Sequence, residues 1–197
     1  MRHLVFLTLL FACVSASAAA VELPGTCQVE FTGSSTLHDF DGTAACTPFI
    51  LTVTDVGGEA QLGEATLSVP VTDMRTGIAR RDRTMYEMFQ AGRFPEITGR
   101  LTGAPLAEVR RQLHQAAGGT STLPLAVRIR DSERPVAARV TRLVDTPRAF
   151  SVDLEFSLSL AAFRLPPPVV LGFIRVGDEV RVKVRAQVAP LPLLWPP

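Results

Sequence analysis

The chain has 197 residues, 47% of them hydrophobic, with 20 lysines and arginines against 19 aspartates and glutamates. That is enough apolar material for a folded domain with a real core, and it excludes a disordered chain. The balanced charge argues against nucleic acid as a partner, which would need a basic face.

Arg2 gives the N-terminus a short positive region, followed by an uncharged apolar run over residues 4–14 and small residues over 15–20. Ala18-Ala19-Ala20 satisfies the small-x-small rule, so residues 1–20 read as a signal peptide cut after Ala20. An uncleaved anchor over residues 4–21 and lipid attachment at Cys13 remain as alternatives. Cleavage would leave no stable membrane span. No repeat or low-complexity linker divides residues 21–197, which read as a single domain.

Residues 28–34 and 43–49 read as strands. A hairpin centred between Thr36 and Leu37 would set Cys27 opposite Cys46, and an oxidising compartment would let them pair as a disulfide. Two buried free thiols are the alternative. Leu67, Val69 and Val71 form a short alternating series. Over residues 80–91, Met85, Met88 and Phe89 share one helical face, with Asp82 as a candidate N-cap and Gly92 near the end. Residues 105–117 form a second helix, with Leu106, Val109 and Leu113 on one side and Gly118-Gly119 as the stop. Leu123, Leu125, Val127 and Ile129 then alternate with polar residues. A weaker strand over 135–144 pairs back through Ser132-Glu133-Arg134.

The strongest strand is residues 150–160, where Phe150, Val152, Leu154, Phe156, Leu158 and Leu160 alternate with serines and acids. Residues 179–188 repeat the pattern with Val180, Val182, Val184, Ala186 and Val188. The fold class is therefore all-β: about eight antiparallel strands with two short helical insertions. Alternation alone does not separate a sandwich from a barrel. A barrel of this size is either filled by side chains or holds one small ligand.

Three stretches carry a family likeness: residues 31–43, from Phe31 through His38 to Gly42; residues 74–98, with Arg81-Asp82 and Phe94-Pro95-Glu96-Ile97; and residues 156–180, with Pro166-Pro167-Pro168 and Val176-Gly177-Asp178. In this order and spacing the chain resembles the YceI-like family of bacterial periplasmic proteins. The resemblance implies a lipocalin-like antiparallel barrel and a periplasmic location. It also implies an elongated apolar cavity for a polyisoprenoid or another long-chain amphiphile. The ligand-binding set would be Phe31, His38, Phe40, Leu67, Val69, Met85, Phe89, Leu154, Phe156, Leu158 and Phe173. The first hairpin departs from the family's common form, which bears on ligand identity more than on fold.

His38 is the one histidine placed for polar chemistry, either touching a ligand head group at the barrel mouth or simply serving the turn. With Asp39 and Asp41 it does not make a metal-ligand spacing. Ser34, Ser35 and Thr36 lie outside any Gly-x-Ser-x-Gly motif and have no second histidine nearby, so no catalytic residue is assigned. Gly57-Gly58 and Gly118-Gly119 are turn glycines, not phosphate loops, and no cofactor is expected. His114 should be solvated. Two readings follow: a periplasmic carrier of a long-chain apolar ligand, or a filled-core interaction module. The second would use the Pro-rich loop and the Met-rich helix. A homodimer stays open.

Overall fold

The structure is a computed structural model that describes residues 20–119, 121–167, 169–170 and 174–190. Its strands are β1 (Ala20–Ser35), β2 (Phe40–Ala45), β3 (Phe49–Val56), β4 (Glu59–Leu62), β5 (Ala65–Pro70), β6 (Glu96–Leu101), β7 (Ala104–Pro105), β8 (Leu123–Ile129), β9 (Ser132–Thr146), β10 (Ala149–Ser159), β11 (Val169–Val170) and β12 (Ile174–Val188). Two helices interrupt them, α1 (Ala79–Phe89) and α2 (Leu106–Ala117). Among the described residues no helix is long and apolar enough to cross a membrane.

The sheet runs in the order β5-β6-β8-β9-β10-β12-β1-β3-β4-β7, with β2 paired to β1 and β11 to β12. Every pairing is antiparallel. Long β1 organises it. One edge pairs with β12 from Gly25↔Val188 to Ser35↔Val176. On the other edge its first half pairs with β3 and its second half with β2. The sheet curls until β5 meets the corner between β2 and β3. There the Thr47 N–H donates to the Ser68 carbonyl over 2.8 Å, and Thr43 and Arg75 exchange backbone bonds. The result is a curled half-barrel joined across its seam by isolated bonds instead of a full ladder. Among the described residues twelve strand segments form, against about eight expected. The surplus includes β4, β7 and β11, pieces of two to four residues too short to show alternation.

The expected alternation carries through into burial. Val152 and Leu154 of β10, Val182, Val184 and Ala186 of β12, and Leu123, Val127 and Ile129 of β8 all turn into the curl and are buried. Each valine, leucine or isoleucine among them contributes about 1.5–3 kcal/mol by leaving water, and Ala186 less. The first hairpin pairs Gln28↔Ala45 and Gly33↔Phe40, the register expected for a turn centred between Thr36 and Leu37. Cys27 and Cys46 are joined as a disulfide, with Cα atoms 5.1 Å apart.

Five local expectations need correction. The strand expected over residues 43–49 breaks after Ala45, because the chain leaves β1's second half there and rejoins its first half as β3. The turn before β9 is not Ser132-Glu133-Arg134. Ile129 pairs with Ser132 across a two-residue turn whose first residue, Arg130, is left-handed (φ 57°), so those three residues belong to the strand. Asp82 does not cap α1: the cap position is Ile78, and Asp82 sits buried inside the first turn. Its Oδ1 accepts from the Thr76 N–H (2.8 Å) and hydroxyl (2.6 Å), tying the lead-in segment to the helix. Helix α1 ends at left-handed Gln90 (φ 54°) instead of at Gly92. Finally, helix α2 begins at Leu106, one residue later than expected, because Pro105 is still extended (ψ 130°) at the end of β7; it stops at Gly118-Gly119 as the sequence suggests, where Gly119 takes φ 75°.

Candidate functional site

Strand alternation sends one set of side chains into the curl, and they do not fill it. A cavity of about 590 Å3 remains, within the range of small-molecule sites. Its wall follows β1 from Leu23 through Cys27 and Phe31 to Ser35, a path of about 40 Å at ~3.3 Å per residue. The cavity is therefore elongated, and strand register defines its two ends. Gly25, Phe49, Phe150, Asp145 and Val188 meet at one end; Ser35 and Val176 meet at the other.

Each end carries one helix. Helix α2 covers the Asp145 end with Leu106, Val109 and Leu113. Its Arg110 reaches Asp145 at 2.9 Å, and His114 Nε2 lies 3.3 Å from the same carboxylate. His114 is thus exposed, as expected, but also engaged. Helix α1 covers the opposite end, turning Arg80, Arg81, Thr84, Met85, Met88 and Phe89 to the cavity. From this helix Met85, Met88 and Phe89 all border the cavity.

The sequence-derived set maps onto this space as follows. Phe31, His38, Phe40, Leu67, Val69, Met85, Phe89, Leu154, Phe156 and Leu158 all line the cavity. Phe173 lies outside the described residues, as do Pro168, residues 1–19 and Trp195. Of the Pro-rich loop, β11 pairs Val169↔Arg175 at the start of β12. The backbone of His38 makes the turn's bonds: its carbonyl accepts from the Ser35 hydroxyl at 2.8 Å. Its exposed side chain borders the cavity. Among the described residues no cluster of three metal-ligating side chains forms.

Sequence reading missed the polar lining: Thr76, Arg80, Arg81, Thr84, Arg110 and Asp145. For α1 a signal existed. Stepping back by helical period from Met85, Met88 and Phe89 gives Arg81 and Thr84. Arg110 and Asp145 lie 35 residues apart, and nothing local links them.

Outside the cavity, four described ionisable groups have their protonation biased by their surroundings. Arg111, then Gln112, holds the Glu108 carboxyl below its ordinary value by hydrogen bonding. The Ser159 hydroxyl and the Ala161 N–H do the same for Asp178. Hydrogen bonds to Glu64 and Glu133 raise Arg100, and Asp153 raises Arg185.

The YceI-like domain family model matches residues 21–188. The chain belongs to the YceI-like family. Two solved structures resemble this YceI-like fold at 15% identity. One is BcnA of Burkholderia cenocepacia, with TM-score 0.56, covering 83% of this chain and 96% of that one. The other is a polyisoprenoid binding domain from Saccharophagus degradans implicated in plant cell wall breakdown, with TM-score 0.55, covering 85% and 98%. No curated protein matches the YceI-like chain.

Proposed function

We propose that the protein is a periplasmic carrier of a long-chain apolar ligand, a polyisoprenoid or similar amphiphile, and that it binds without catalysing a reaction. The elongated apolar cavity carries this reading. Eight-strand barrels with a filled interior leave no such space, whereas those that hold a ligand do. Family membership supports it, and so does the structural likeness to a domain described as polyisoprenoid binding. Polar side chains gather at the two ends and leave the middle apolar, the arrangement an amphiphile needs.

The test is the native mass of the protein purified from periplasm, compared with its denatured mass. Extra mass lost on denaturation is expected, and organic extraction should return a lipid-like molecule in stoichiometric amount. Equal masses, together with no uptake of fluorescent fatty acids or isoprenoids, would refute the carrier.

A further inference from the structure

The two ends of the cavity differ in charge. At the α2 end Arg110 is matched by Asp145, the one carboxylate among the described lining residues. At the α1 end the ionisable lining groups are Arg80, Arg81 and His38, beside the hydroxyls of Ser35, Thr76 and Thr84. Neither Arg80 nor Arg81 forms an ion pair with a described residue. The nearby carboxylates are turned to other work or lie off the lining. Asp82 is buried against Thr76, Asp41 accepts from Thr32 at 2.7 Å, and Asp39 does not border the cavity. The Arg81 guanidinium lies over the Phe40 ring, 5.0 Å from its centroid, which fixes the charge at the opening.

Resting on the carrier reading, we propose that the α1 mouth receives an anionic headgroup, a phosphate or carboxylate, from a long-chain amphiphile whose chain lies in the cavity. An arginine fork matches such an oxyanion with paired, charge-assisted hydrogen bonds. A neutral headgroup would leave two arginines at the mouth without an anion. The α2 end, already compensated, gives an anion no such advantage and would face the chain's far tip.

The experiment is calorimetric titration of the lipid-stripped full chain with geranylgeranyl monophosphate and, separately, geranylgeraniol. The phosphate should bind at least about tenfold tighter at low salt. Raising ionic strength should shrink that ratio, since the mouth is open to solvent. Arg80→Gln combined with Arg81→Gln should bring the ratio close to one. Arg83→Gln removes the same charge from an exposed position of α1 off the cavity lining and should preserve the ratio. A ratio near one in the unaltered protein, a preference indifferent to salt, or a preference that survives the double substitution overturns the headgroup assignment alone. Failure of the unaltered protein to bind either compound overturns the carrier reading and this one with it.

Discussion

Asp82 places a carboxylate where almost no solvent reaches it, and its two bonds to Thr76 are what make that position tolerable. Thr76 borders the cavity, so the contact ties the mouth segment to α1. Asp82→Ala would strip the partner from the Thr76 N–H, and an orphaned donor costs about 1–3 kcal/mol. Denaturant unfolding should show a loss of that size, and the Thr76 amide should exchange faster with solvent. An unaltered midpoint would mean water replaces the carboxylate there. Sequence pattern suggested an acidic cap at this residue, which is the ordinary use of aspartate near a helix start. The deeper placement was not legible because the helix opens three residues earlier, at Ala79, with an apolar residue before it.

At the scale of elements, much of the sheet was legible wherever one face is dry and the other wet. The inward valines of β12 and the apolar series of β10 pair residue for residue, Leu154↔Val184 and Phe156↔Val182, as two one-sided strands should. The first half of β1 was not legible, since Pro24 and Gly25 interrupt any alternation. The strand continues because the Pro24 carbonyl accepts from the Ala189 N–H at 2.9 Å, and because Gly25 sits directly across from Phe49. The same device recurs at Gly33↔Phe40, where a glycine opposite an aromatic leaves room for the ring. The disulfide locks β1 to the end of β2 across a sequence separation of 19, worth about 3 kcal/mol on the chain-entropy model. Replacing both Cys27 and Cys46 by alanine should lower unfolding free energy by about that amount while leaving strand content in circular dichroism intact. A free-thiol count of two on the oxidised, denatured protein would show that the pair does not form.

For the whole molecule the question is whether the interior is an open space that the fold maintains for a guest. Gly99 on β6 offers a direct way to ask. It pairs with Leu67 on one side and Val127 on the other, all three line the cavity, and a Cβ built there meets nothing within 4 Å. Gly42, by contrast, is packed: a Cβ there would come 2.8 Å from the Arg75 carbonyl. Gly99→Leu therefore adds apolar volume to the cavity without displacing backbone. Stability should hold or rise by up to about 2 kcal/mol, because the new side chain leaves water for an apolar lining. The load of bound lipid, read by native mass, should fall. A filled interior would answer differently, since a leucine forced into packed space costs about 1–3 kcal/mol. If the variant is stable yet keeps its full load, the guest lies outside the curl, and the cavity is not the binding site. Stability and load together thus separate a carrier from a packed barrel in one substitution, on a residue whose lack of a side chain is itself part of what keeps the space open.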